Sequence, residues 1–106
     1  MSITSAILYN NGEDFFKLNG SSVMALTPKA AKEVCIEASK REKFVYIVEG
    51  GHWMNPGFRP DGSTRWDARQ DFEQSGKFKE NNDAALKNIE EDVTFGITAF
   101  MITLSK

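Results

Sequence analysis

Residues with distinctive chemistry are concentrated in one stretch of the sequence, VEGGHWMNPGFRPDGSTRWD, residues 48–67. This stretch holds four of the eight glycines, two of the three prolines, the only histidine and both tryptophans. Such a combination can form a catalytic loop, a binding surface or an elaborate hairpin. Each of these possibilities requires different partner residues elsewhere in the chain.

The residue types give little support for catalysis or for metal binding. A single His52 cannot build a metal site of histidine ligands, and a single Cys35 cannot build a zinc ribbon. His52, Ser63 and Asp67 could in principle form a nucleophile set, but the sequence has no nucleophile elbow. Gly50-Gly51 lacks the spacing of a phosphate-binding loop. We therefore expect no enzymatic activity, no metal and no cofactor.

Recognition of another protein fits the same stretch better. Tryptophan and arginine frequently anchor interfaces, and carboxylates beside them can meet basic groups of a partner. The candidates for such contacts are His52, Trp53, Phe58, Asp61, Trp66 and Asp67. The alternative is purely structural: Trp53 and Trp66 would face each other across the loop and seal the core.

The charge distribution argues against direct nucleic-acid binding and permits a basic partner. The formal net charge is −2, and residues 80–92 contain five acidic side chains and one lysine. The aromatic-rich stretch is also more acidic than basic. Because a nucleic-acid-binding protein usually carries a basic stripe interleaved with aromatics, we expect no direct contact with nucleic acid.

Apolar runs and cysteine content predict a cytoplasmic protein. The longest apolar runs, residues 44–48 and 97–102, are far shorter than the roughly 20 residues that cross a bilayer. The N-terminus lacks the basic region of a secretory signal. One cysteine cannot make an internal disulfide, which suits a reducing compartment. We expect no membrane partner, and the sequence leaves open whether the chain is a monomer or a homodimer.

Two helices are predicted from caps and apolar periodicity. Thr27-Pro28 should begin the first, because the threonine hydroxyl can cap a helix and proline fits its first position. Its apolar face comprises Ala31, Val34, Cys35 and Ala38, so Cys35 is expected in the core. A second helix is predicted over about residues 82–92, where an apolar face comprises Ala85, Leu86, Ile89 and Val93.

The strand pattern predicts a small sheet. FVYIVE, residues 44–49, is typical of an interior strand that ends at Gly50-Gly51. Residues 53–58 and 64–67 are predicted as two arms of a hairpin or loop excursion whose tip is residues 59–63, since Pro-Asp-Gly favours a turn.

The apolar segment 95–104 is predicted as a central strand, and residues 3–9 and 23–26 as short strands or irregular segments. Asn10-Asn11-Gly12 and Asn19-Gly20 are expected to supply turns. The fold class is therefore α+β: a small, mostly antiparallel sheet packed against two main helices in a single domain, residues 1–106.

The order of these segments resembles a known family. In sequence they read KAAKEVCIEASKREK, FVYIVEGG, HWMNPGFRPDGSTRWD, ENNDAALKNIEEDV and FGITAFMITL. A helix, a strand ending in a glycine pair, a polar and aromatic excursion, a Glu-rich helix and an apolar strand follow one another. Over residues 23–104 the chain resembles the small immunity proteins of bacterial polymorphic-toxin and contact-dependent inhibition systems.

The resemblance implies a non-enzymatic inhibitor that binds the C-terminal domain of its cognate toxin in the cytoplasm. Many such toxins are nucleases with basic clefts, which an acidic inhibitor suits. The carboxylates that would take the place of phosphates are then Asp61, Asp67, Asp71, Glu73, Glu90 and Glu91. The same carboxylates could equally form an ordinary solvated surface.

Two other functions stay open. One is a small enzyme or ligand-binding domain with a pocket near Gly50-Gly51, in which His52 would act as general base. The other is an adaptor domain that dimerises through Trp53 and Phe58. Within the immunity hypothesis, the interface could lie on the aromatic stretch or on the second helix.

Overall fold

The computed structural model describes residues 7–105 of the chain. This part contains seven helices and strands. In chain order they are α1 (Gly12–Lys17), α2 (Pro28–Lys40), β1 (Val45–Trp53), β2 (Phe58–Asp67), α3 (Gln70–Gln74), α4 (Phe78–Thr94) and β3 (Ala99–Leu104). The strands form one antiparallel sheet in the order β2-β1-β3. Helices α2 and α4 pack together and share one hydrophobic core with the sheet. The predicted α+β class with two main helices is confirmed.

Helix α2 begins where the sequence predicts. The Thr27 hydroxyl accepts a hydrogen bond from the Ala30 N–H at 3.1 Å, and Pro28 occupies the first turn. The Thr27 hydroxyl also donates to Asn10 Oδ1 at 2.7 Å. The residues that the helix buries are Ala30, Ala31, Val34, Cys35 and Ala38.

Replacing the cap should destabilise the protein measurably. In Thr27→Ala the Ala30 N–H loses its acceptor, and the loss of an N-cap typically costs about 1 kcal/mol. We expect chemical denaturation to show this decrease in the free energy of unfolding. Thr27→Ser keeps the hydroxyl and should retain most of the stability. An equal loss in both variants would mean that the methyl group, and not the cap, matters.

Cys35 lies in the core, as its position on the apolar face predicts. Its side chain is 1% exposed, and burial raises the pKa of the thiol to about 12. Because the thiolate is the reactive form, we expect iodoacetamide to alkylate Cys35 only when the protein unfolds. Mass spectrometry should show slow modification in buffer and rapid modification in denaturant. Rapid modification of the folded protein would contradict the buried placement.

Strand β1 does not end at the glycine pair, contrary to the prediction. It continues to Trp53 because Gly50 and Gly51 allow close approach within the sheet. A Cβ atom on Gly51 would overlap the Arg59 carbonyl oxygen and lie 2.8 Å from the Phe58 ring. A Cβ atom on Gly50 would lie 2.8 Å from the Thr64 hydroxyl. The two glycines therefore make room for neighbouring groups and do not form a turn.

The hairpin tip was predicted in the wrong place. The turn comprises residues 54–57, where the Met54 N–H donates to the Gly57 carbonyl at 2.7 Å and Gly57 has a φ of 110°. Because this turn lies between Trp53 and Phe58, these two residues pair with each other. Strands β1 and β2 therefore form more backbone pairs than a turn at residues 59–63 would allow. Pro60 instead pairs with Gly51, and residues 61–64 form a bulge inside β2 before the next pair, Glu49–Arg65.

Strand β3 begins at Ala99 and lies at one side of the three-stranded sheet, whereas β1 is central. The prediction of a central strand over residues 95–104 was therefore wrong. Its outer side is nevertheless covered, because Leu26 and Phe100 exchange backbone hydrogen bonds at 2.8 and 2.9 Å. Tyr9 in turn bridges to Leu26. This pairing satisfies the edge of β3, and the side chains of Ala99, Phe100 and Ile102 are buried.

Three helical features depart from the predictions. Asn10-Asn11-Gly12 does not form a simple turn, since Asn11 caps helix α1, which places Phe15 in the core. Helix α3 was not predicted, and α4 is longer than the predicted residues 82–92.

Residues 3–6 of the predicted first strand lie outside the described residues. Among the described helices, none combines the length and apolarity that a membrane span requires.

Candidate functional site

The sheet places the two tryptophans on opposite faces. Trp66 is paired with the buried Val48 and packs against the hydrophobic core. Trp53 is paired with Phe58, and its distance from Val48 along β1 puts it on the other face. The two rings do not face each other, so that expectation was wrong. Trp66 has a structural role, and Trp53 does not seal the same core.

The sheet face away from the helices carries Trp53, Phe58 and Asp67. The Phe58 ring lies beside Gly51, and both aromatic residues are half-buried. Asp67 pairs with Ile47, six residues from Trp53 along β1 and so about 20 Å away. The Arg65 guanidinium contacts the Asp67 carboxylate at 3.1 Å. The aromatic pair and this carboxylate therefore do not form one patch.

Two further predicted carboxylates lie on α3, and each has a local partner. Asp71 receives a hydrogen bond from Arg69 at 2.9 Å, which holds the pKa of Asp71 below its usual range. Glu73 accepts a hydrogen bond from the Tyr46 hydroxyl at 2.7 Å, which raises the pKa of Tyr46. Both side chains are thus engaged within the protein.

His52 and Asp61 lie on the helix side of the sheet. Alternation from the buried Val48 puts His52 there, and its partner in the ladder is Arg59. Hydrogen bonds from the Ser63 side chain and backbone lower the pKa of Asp61, and His52 and Arg59 act in the same direction. Asp61 is therefore held in a fixed turn inside the β2 bulge.

The end of helix α4 carries the remaining two predicted residues. Glu90 and Glu91 are exposed, and neither makes an ion pair or a side-chain hydrogen bond within residues 7–105. Burial raises the pKa of Asp92, against a hydrogen bond from Asn88, and nearby Glu91 and Asp61 raise it further. Thr64 in the β2 bulge and Ile97 just after α4 both lie within 3.2 Å of a Cβ atom placed on Gly50, so the bulge and the end of α4 are neighbours.

Phe95, which the sequence predicts in a strand, lies at the same end of α4 as these acidic residues. Phe95 is the C-cap of α4 and is 81% exposed, whereas the other exposed large apolar side chains of residues 7–105 reach at most 56%. The following loop is tied to β1, since the Thr98 N–H donates to the Gly51 carbonyl and the Trp53 N–H to the Thr98 hydroxyl. We call the group His52, Asp61, Glu90, Glu91, Asp92 and Phe95 the α4-end surface.

The aromatic stretch and the second helix were alternative predictions for the interface, and the structure brings part of each together. His52 and Asp61 come from the aromatic stretch, and Glu90 and Glu91 come from the second helix. There is no space for a ligand pocket beside Gly50 and Gly51, because Thr64, Ile97 and Phe58 occupy it. The arrangement offers a charged surface with one protruding aromatic ring, which suits contact with another protein.

Comparison with known proteins identifies the family. The family model for the colicin-E5 Imm protein matches residues 24–105. The chain belongs to the colicin-E5 immunity protein family. It is 49% identical to the colicin-E5 immunity protein of Escherichia coli over 81 residues, which are 76% of this chain and 98% of the relative. It is also 36% identical over 99 residues to the immunity protein CdiI of Burkholderia pseudomallei, covering 90% of this chain and 91% of the relative.

Membership of the colicin-E5 immunity protein family confirms the main functional predictions. The protein is a toxin immunity protein that neutralises by binding, and it is not an enzyme. The matched region contains the whole sheet together with α2, α3 and α4. Helix α1 precedes the match, although Phe15 belongs to the common core.

Proposed function

We propose that the protein, acting as one domain in the cytoplasm, binds the C-terminal domain of a cognate bacterial toxin and blocks it without turnover. The family membership supports the immunity role, and the relatives' names include both a colicin and a CdiI immunity protein. The observation that carries the proposed mode of binding is the α4-end surface, with exposed carboxylates beside an exposed phenyl ring.

The proposed target is a nuclease domain with a basic cleft. Carboxylates without internal partners attract cationic side chains and raise the rate of association, which should fall as salt increases. Among the described residues, Glu90 and Glu91 have no such partner, and Asp61 adds negative charge near Asp92 at the same end of α4. In this proposal they occupy positions that substrate phosphates would otherwise take.

The other predicted contact residues support a secondary role. Asp67, Asp71 and Glu73 already contact Arg65, Arg69 and Tyr46, so they offer less uncompensated charge. Trp53 and Phe58 could extend the interface along the open face of the sheet. Trp66 is the least suited, because it packs against the core.

Co-expression tests the proposed function. The reading frame adjacent to the gene for this protein should encode a large toxin, whose C-terminal domain is expressed alone and together with this chain. We expect growth arrest with the toxin domain alone, rescue on co-expression and recovery of both chains in one complex. Rescue failure despite soluble expression of both chains would contradict the pairing with that toxin.

A further inference from the structure

The C-terminal end of α4 departs from the usual charge preference of helices. Cations stabilise the last turn because the helix dipole puts its negative end there. Helix α4 has no basic residue in its last turn, and Glu90, Glu91 and Asp92 lie near that end. By contrast, α2 has Lys40 in its last turn. Acidic side chains at this position lower helix stability, and departures of this kind are expected at functional sites.

At the same end of α4, Phe95 is exposed, although large aromatic side chains are usually buried. The chain turns after it through a standard helix termination, in which the Ile97 N–H donates to the Asp92 carbonyl and the Gly96 N–H to the Val93 carbonyl. Gly96 has a φ of 91°, and Ile97 is 4% exposed. Ile97 turns into the hydrophobic core after this termination, whereas the Phe95 ring stays in solvent.

We propose that Phe95 is the anchor of the toxin interface and that it inserts into an apolar recess ringed by lysine and arginine side chains on the toxin domain. This inference rests on the proposed function. An aromatic ring in a desolvated pocket, surrounded by charge pairs at the rim, is a common arrangement of an energetic centre in protein interfaces. Glu90 and Glu91 supply the acidic rim on this side.

Charge complementarity selects a basic partner over a second copy of this chain. Phe95 follows Glu91 by four positions, so the two side chains lie on the same side of the helix end. In a symmetric dimer through Phe95, the exposed Glu90 and Glu91 carboxylates of both copies would approach one another. Such like-charge contacts oppose association.

Two variants with matched controls test the anchor, using the full chain and the C-terminal toxin domain that it neutralises. Phe95→Ala should weaken binding at least about thirtyfold, as expected for a central aromatic anchor. Ile36→Ala, which removes an apolar side chain that is 50% exposed on α2, should leave the affinity within about threefold.

For the acidic rim, Glu91→Lys should weaken binding about tenfold at low salt and less at high salt. Glu80→Lys reverses an exposed charge roughly 16 Å away on the same helix and should have a smaller effect.

Thermal unfolding separates a lost interface from a damaged fold. Glu91→Lys places a cation near the negative end of the α4 dipole, so its melting temperature should equal or exceed that of the wild type. Asp92→Asn removes a carboxylate whose pKa is raised by burial, so it should also be at least as stable at neutral pH. Variants that are as stable as the wild type but bind more weakly cannot owe the loss to unfolding.

The outcomes distinguish the anchor from the proposed function itself. Weakening by Phe95→Ala and Glu91→Lys, with both controls near the wild type, would support the anchor. Unchanged affinity of Phe95→Ala, while the wild type still neutralises the toxin, would overturn the anchor and leave the immunity role intact. Failure of the wild type to bind would overturn both.

Discussion

The Asn82→Ala variant should lose about 3 kcal/mol of unfolding free energy, since the buried Val45 N–H and the partly buried Lys43 carbonyl lose their partners. Asn82 is 1% exposed. Its Oδ1 accepts from the Val45 N–H at 2.9 Å, and its Nδ2 donates to the Lys43 carbonyl at 2.8 Å. Nδ2 also donates to the Ser39 hydroxyl at 3.0 Å. One side chain on α4 thus joins the end of α2 to the start of β1.

The adjacent Asn81 provides a matched control for Asn82. Asn81 is equally buried, and its Nδ2 donates to the Val45 carbonyl at 2.9 Å. Its Oδ1 has no hydrogen-bond partner within residues 7–105, so Asn81→Ala removes fewer interactions. We expect Asn81→Ala to lose less unfolding free energy than Asn82→Ala in urea denaturation. Equal losses would show that side-chain volume, and not the hydrogen bonds, determines the effect.

The Gly51→Ala variant should lose about 3 kcal/mol or fail to fold, because overpacking of this kind cannot be relieved by a change of rotamer. The added Cβ would overlap the backbone carbonyl of Arg59 and lie 2.8 and 2.9 Å from two atoms of the Phe58 ring. Relief requires β1 and β2 to separate at the pairs next to the hairpin turn. We expect a large decrease in the denaturation midpoint, measured by circular dichroism.

Gly62 is the matched control for Gly51, since it lies in the same hairpin. A Cβ atom on Gly62 has no neighbour within 4 Å, and Gly62 is not among the residues with positive φ. Gly62→Ala should therefore be neutral or more stable by about 0.5 kcal/mol, because alanine restricts the unfolded chain. Comparable destabilisation in both variants would contradict the close packing described for Gly51.

Local signals in the sequence predicted the fold class and the first main helix. Thr27-Pro28 begins α2 as predicted because capping depends on neighbouring residues alone. The hairpin turn was misplaced because residues 55–57 and 60–62 both carry turn chemistry, and only strand pairing decides between them. The glycine pair was misinterpreted for a related reason: close approach by Phe58 and Arg59 depends on sheet register.

The candidate site was predicted only in part. Glu90 and Glu91 were identified by charge, but the proximity of the α4 end to Asp61 and the β2 bulge depends on sheet register that no local pattern reveals. Phe95 was missed because it was assigned to the following apolar strand. Gly96 was the available signal, since a glycine directly after a helix favours termination there. A helix ending at Phe95 would have placed its ring at the surface.

Titration of toxin activity tests stoichiometric neutralisation most directly. A fixed concentration of the cognate toxin domain, well above the dissociation constant, is mixed with increasing amounts of this protein, and residual toxin activity is measured. We predict a linear decrease that reaches zero at one equivalent, with activity recovered when the complex is dissociated. Complete loss of activity at a small fraction of one equivalent would indicate turnover and would contradict inhibition by binding, as would full activity in the presence of excess protein.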